Sequence, residues 1–181
     1  LAASTHPGEE ILVGDVHQAL KPTHPNLITI IVPRHPDRGE AIAETLSECG
    51  LTVTRRSNGD AIVSRTDIYL ADTLGELGLF FRLSPISFMG KSLVDLGGQN
   101  PLEPARLKSA VLFGPYMWNF ANISRRLLDA DAAEEVGDAD ALTAAVNKLL
   151  SDRSLCGSRG LRGNMIAESE NDVLDRVTDA L

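Results

Sequence analysis

The stretch LITIIVPRHPDRGEAIAETLSECG, residues 27–50, holds one complete unit of the fold. "LITIIVP" is a largely apolar run, rich in β-branched residues and interrupted only by Thr29. That is the pattern of a strand buried on both faces, as in a parallel sheet. "PRHPDR" then stiffens the exit with two prolines. Helix formers follow from Asp37 to Cys49, and Gly50 supplies a stop signal.

Working outward, the same alternation repeats. "LAAS" reads as a strand before a helix from about Glu9 to Leu20. "LTVTRRS" and "DIYLAD" read as two further strands, Leu74 to Leu83 as a helix, and "ISFMG" as the next strand. A helix after "QNPLEP" leads into the strand "AVLFGP". Asn119 to Asp129, Asp138 to Ser151 and the tail from about Ser154 read as helices. Strands separated by helices make βαβ units, so the fold class is α/β: a Rossmann-like parallel sheet flanked by helices. Residues 1–181 fit a single domain long enough to bury a real core.

Hydrophobic residues make up 43% and charged residues 23%, which is globular rather than disordered composition. No apolar run approaches the roughly 18 residues of a membrane span. The opening on "LAAST", in what reads as mid-strand, suggests a piece of a longer protein. Cys49 and Cys156 are too few and too far apart for a metal cluster or disulfide framework, which fits a reduced, cytoplasmic setting. A net charge of −8 argues against general nucleic-acid binding. The charge is uneven, however. Acids crowd between Asp129 and Asp140, whereas Arg34, Arg38, Arg55, Arg56, Lys91, Arg106 and Lys108 lie earlier, so a locally positive cleft can meet a small anion.

In parallel sheets ligands sit beyond the carboxyl ends of the strands. The unusual sequences fall there: "STHPGEE", "PRHPDR", "ADTLGEL" and "GKSLVDLGGQNPLEP". In the first, Ser4 and Thr5 can cap the helix, worth ~1 kcal/mol, while Gly8 admits an anion to the backbone. His6 reads as surface decoration. Arg34 can bind a phosphate or a base edge, or simply pair with Asp37 or Glu40; His35 alone is ambiguous. Asp72 or Thr73 can cap the next helix, with Leu74 presenting backbone groups and Gly75 permitting close approach. In the fourth loop Lys91 and Ser92 offer phosphate contacts, and Gly97–Gly98 a flexible approach. Asn100 suits an N-cap, Pro101 the first helical position, and Glu103 the capping-box position. Capping explains those three residues but neither the glycine pair nor Pro104. A carboxylate at a helix start repels phosphate yet suits the paired hydroxyls of a ribose. No GxGxxG follows the first strand, no GxxxxGK[ST] occurs, and no metal-ligand spacing appears; no cofactor is implied.

"AASTHPGEE", "IIVPRHPDR", "ADTLGELGLFF", "FMGKSLVDLGGQNPLEPARL" and "AVLFGPYMWNF" arrive in an order that resembles the 3-deoxy-D-manno-octulosonic acid (Kdo) transferases, over nearly the whole chain. The "GGxNPLEPA" element is the most specific. The resemblance implies a GT-B architecture of two Rossmann-like domains, of which this chain matches the C-terminal, nucleotide-binding one. It implies CMP-Kdo as donor and inverting transfer to a lipid A precursor at the cytoplasmic face of the bacterial inner membrane. The general base and the membrane anchor then belong to an N-terminal domain outside this sequence. Carried onto matching positions, Arg34 contacts cytidine, Leu74 and Gly75 the nucleotide through backbone, Ser92 and Asn100 the phosphate, and Glu103 the ribose. Two positions depart from the pattern: Gln99 stands where many relatives have His, and Lys91 replaces a small residue. The rival readings are another GT-B domain, such as a UDP-sugar transferase or epimerase, and a stand-alone α/β regulatory module. In the GT-B reading Val173, Leu174, Val177 and Leu181 form an apolar stripe on a last helix that crosses back to the other domain.

Overall fold

The computed structural model describes residues 1–179, with side chains described as far as Glu170. The elements are β1 (Ala2–Thr5), α1 (Glu9–Leu20), β2 (Thr29–Pro33), α2 (Gly39–Glu48), β3 (Val53–Arg55), β4 (Ile68–Leu70) and α3 (Leu77–Leu83), followed by β5 (Ile86–Met89), α4 (Leu102–Arg106), β6 (Ala110–Phe113), α5 (Ala121–Asp129), β7 (Ala133–Glu135), α6 (Ala139–Ser151) and α7 (Arg153–Asp179). One sheet runs β3-β4-β2-β1-β5-β6-β7, and every pairing is parallel. The order turns back at β1: its chain successor β2 lies on one side and β5 on the other. A crevice opens at such a reversal, beyond the carboxyl ends of the strands.

Burial follows the two-residue period of a strand. In β6, Ala110 and Leu112 join the core formed with Val13, Val16, Leu20 and Leu142 of α1 and α6. Val111 and Phe113 face the opposite core, with Ala105, Leu127 and Ala167 of α4, α5 and α7. Each fully buried side chain of this size contributes about 1.5–3 kcal/mol relative to exposure. Gly50 ends the second helical segment at φ 85, the left-handed region its place after the helix demands.

The structure departs from the sequence expectation in places. α2 begins at Gly39, because Pro36–Arg38 form a single 3₁₀ turn first. α3 begins at Leu77 rather than Leu74. β7, a three-residue strand with two glutamates, was hidden because it is too short and polar to show a period. The stripe of Val173, Leu174, Val177 and Leu181 lies outside the described residues as far as side chains go. Among the described residues no helix is long and apolar enough to cross a membrane.

Candidate functional site

Three of the four unusual loops are pinned together at the sheet reversal. The Arg34 N–H donates to the Thr5 carbonyl at 3.0 Å, tying the end of β2 to that of β1. The Gly90 N–H donates to the Ala3 carbonyl at 2.8 Å, tying β5 to β1. A side chain at Gly90 would strike the Ser4 carbonyl and the Thr5 backbone, so only glycine lets the strands come this close. Ser4 (φ 55), where the β1–β2 register shifts, and Lys91 (φ 63) both hold left-handed backbone without being glycine. Such conformations cost about 1–3 kcal/mol each and concentrate where a site requires them.

A buried acid holds this junction. Glu9, the first residue of α1, is 1% exposed. Its carboxylate accepts the backbone N–H groups of His6 at 2.9 Å, Lys91 at 2.7 Å, Ser92 at 3.1 Å and Leu93 at 3.2 Å. The amides after β5 are thus a genuine anion seat, but the anion is internal. Beside it, Glu10 takes both guanidinium nitrogens of Arg38, at 2.9 and 3.2 Å, and the Thr5 hydroxyl at 3.0 Å. Sequence reading gave neither glutamate a role. Their partners lie up to 84 residues away, and only the "GEE" at a helix start hinted at them.

The remaining rim sorts the basic residues into engaged and free. Arg55 pairs with Asp72 at 3.0 Å, and Ser57 donates to the same carboxylate. Arg56 pairs with Glu76; together with the Thr73 hydroxyl it holds the Glu76 carboxyl at about 2. Asp72 and Thr73 are therefore tied into these pairs and do not cap α3, whose start has no side-chain cap. Arg34 is exposed and pairs with neither Asp37 nor Glu40; its guanidinium and the Lys91 ammonium have no side-chain partner among the described residues. Exposed His35 stacks edge-on against His6, ring centres 5.8 Å apart. Leu74, 81% exposed, and Gly75, at φ 81 with open space around it, project from the β4 loop.

Several expected contacts take a different form. Ser92 is fully buried: its hydroxyl donates to the Met89 carbonyl and accepts the Gly114 N–H at 2.7 Å, leaving nothing to offer a phosphate. Ser4 is likewise buried. Gly97 (φ 94) and Gly98 (φ 76) are closely packed rather than flexible, because any side chain there would collide with Trp118, Asn119 and Met117. α4 begins one residue later than a capping box requires: Pro101 is its N-cap, and the Asn100 side-chain Oδ1 accepts the Leu102 N–H at 3.0 Å. The exposed Glu103 makes no reciprocal bond to Asn100, so its carboxylate remains available. The apolar cavity of about 360 Å³ at the opposite ends of the strands, lined by Leu20, Leu27, Ile30, Leu83 and Val146, brings no charged side chain to bear and does not suit a nucleotide.

No family model matches the chain. Among solved structures it superposes on the C-terminal CMP-Kdo binding domain of WaaA from Acinetobacter baumannii with a TM-score of 0.86, at 32% identity, covering 91% of this chain and 86% of that one. It also superposes on WaaG, a glycosyltransferase involved in lipopolysaccharide biosynthesis, with a TM-score of 0.56 over 91% of this chain and 40% of that one; at 12% identity this is a likeness of fold alone. A curated relative, the 3-deoxy-D-manno-octulosonic acid transferase of Haemophilus influenzae, is 38% identical over the whole of this chain and 43% of its own length. Sheet, reversal and loops define the class: a Rossmann-like domain, the C-terminal half of a GT-B fold. This chain spans well under half of the curated relatives it matches, 43% and 38% of the first two. It belongs to the 3-deoxy-D-manno-octulosonic acid transferase family.

Proposed function

We propose that this chain is the donor-binding half of a Kdo transferase, holding CMP-Kdo while the sugar passes with inversion to a lipid A precursor. The acceptor, the general base and the membrane association belong to an N-terminal domain outside this sequence, at the cytoplasmic face of the inner membrane. The observation that carries this reading is the likeness, over 86% of its length, to a domain described as binding CMP-Kdo.

In this reading Arg34 meets the cytosine edge, and Leu74 with Gly75 meets the nucleotide through backbone groups. Glu103 accepts from the ribose hydroxyls, and Lys91 and Asn100 lie along the phosphate. Ser92 acts at one remove, by fixing the loop that carries Lys91. As the glycosidic bond breaks, the sugar becomes cation-like and charge grows on the departing phosphate. Donors already in place stabilise that charge without reorganising. The acceptor hydroxyl must be deprotonated by the other domain.

Calorimetry of this chain with CMP and UMP tests the reading. CMP is expected to bind at least about tenfold more tightly, since a guanidinium that donates to the cytosine N3 meets an N–H at that position in uracil. Equal affinity contradicts the assignment, as does transferase activity from the isolated chain. Arg34→Ala and Glu103→Ala are each expected to weaken CMP by ~1–3 kcal/mol, the range for charge-assisted hydrogen bonds.

A further inference from the structure

Glu103, the acid assigned to the ribose, stands on a helix that cannot place itself. α4 spans Leu102–Arg106, five residues, and Pro104 among them has no N–H to give. Isolated helices shorter than about 12–15 residues are marginal in water, so the position of so short a piece is set by what it packs against. Its start is tied by Asn100, whose side-chain Oδ1 accepts the Leu102 N–H. Its end is tied by α7.

The face of α7 that meets α4 follows the helical period: Gly160, Gly163, Asn164 and Ala167, at spacings of three and four. A side chain at Gly160 would strike the Lys108 carbonyl, so only glycine lets the helix lie against the exit of α4. Gly163 faces the fully buried Ala105, and Ala167 packs into the same core. The Asn164 Nδ2 donates to the Arg106 carbonyl at 3.0 Å. The last carbonyls of a helix have no intrahelical partner, so this bond fixes the final residue of α4 at one atom.

α7 is the fixed side of this seam. Its buried Arg159 pairs with Glu134 at 2.5 Å and Asp131 at 3.2 Å, and Arg162 donates to the Asp131 carbonyl and carboxylate. These pairs anchor α7 to β7 and the turn before it, independently of α4. On α4 itself Pro104 and Ala105 are buried while Glu103 is exposed, so the seam and the acid occupy different faces of one short helix.

Resting on the donor reading above, we infer that Asn164, with the glycine face of α7, is a positioning element for ribose recognition. It sets where α4 ends, and so where Glu103, one turn earlier, presents its carboxylate to the ribose hydroxyls. Asn164 touches no ligand in this scheme and acts only through α4.

The test is calorimetry of this chain and its variants with CMP, 2′-deoxy-CMP and UMP. The unaltered chain is expected to prefer CMP to the deoxynucleotide about tenfold, the worth of one charge-assisted hydrogen bond to Glu103. Asn164→Ala removes the donor, and Asn164→Asp keeps the size but sets a carboxylate against the Arg106 carbonyl. Each should cut the ribose preference below about threefold and leave the preference for CMP over UMP, which depends on Arg34, unchanged. Met165→Ala, on the exposed face of the same helix, is the control and should move neither ratio. In a Glu103→Gln background Asn164→Ala should have no further effect on the ribose preference, because the group it positions has gone. A merely structural role predicts instead that all three nucleotides weaken together. That outcome, or a full ribose preference kept by both Asn164 variants, overturns the inference and spares the donor reading. An unaltered chain that binds CMP without ribose preference overturns the inference together with the role of Glu103, and one that binds no CMP overturns the donor reading itself.

Discussion

Glu9→Ala is expected to destabilise the domain by about 3–5 kcal/mol, the range for losing one partner of a buried charged hydrogen-bond group. The side chain is 1% exposed and is the acceptor for amides from two separated loops. Its removal leaves four N–H donors unpaired, each costing about 1–3 kcal/mol where water cannot reach it. It also releases the clasp on Lys91, whose left-handed backbone is disfavoured without support. Glu9→Gln keeps the volume but turns one oxygen into an amide donor facing amide donors, so an intermediate loss is expected. Urea denaturation gives the stabilities, and hydrogen exchange at residues 91–93 reports the clasp. Unchanged exchange there in Glu9→Ala would show that the loop holds itself.

Gly114→Ala should cost about 3 kcal/mol, at the upper end of overpacking effects. The new methyl would collide with the Ser92 carbonyl and the Leu93 nitrogen, which are backbone and cannot swing aside. Ser92 has little freedom to retreat, being bonded through its hydroxyl to Met89 and Gly114 and through its carbonyl to the Tyr116 N–H. Gly137→Ala is the matched control. Open space surrounds it, so its effect is expected within about 0.5 kcal/mol of zero. A Gly114 variant as stable as the Gly137 variant would mean that the loop after β5 shifts freely, and that the site is not rigid.

Local chemistry was legible in the sequence. The strand–helix alternation and the place of Arg34 at a strand exit follow from residues close in the chain, whereas of the run expected to be buried throughout only Ile31 to Pro33 are, with Ile28 exposed at its start. What was illegible depends on distant partners. Arg38 looked like a free cation until Glu10, 28 residues away, claimed it. Ser92 looked like a phosphate donor until the strand beside it took its hydroxyl. Gly97 and Gly98 looked like freedom, and are instead the room that Trp118, Asn119 and Met117 occupy. A one-residue shift at α4, from Asn100 to Pro101, was enough to undo a capping box while freeing the Glu103 carboxylate. Glu9 showed least of all, because an acid at a helix start already has an ordinary explanation in the helix dipole.

The most direct measurement is a CMP titration of this chain followed by its backbone amide signals. The account predicts shifts confined to one rim, at Arg34, Leu74 and Gly75, Gly97 to Asn100, and Glu103. Shifts centred instead on the apolar cavity around Leu20, Leu27 and Val146, or an identical response to UMP, would contradict it.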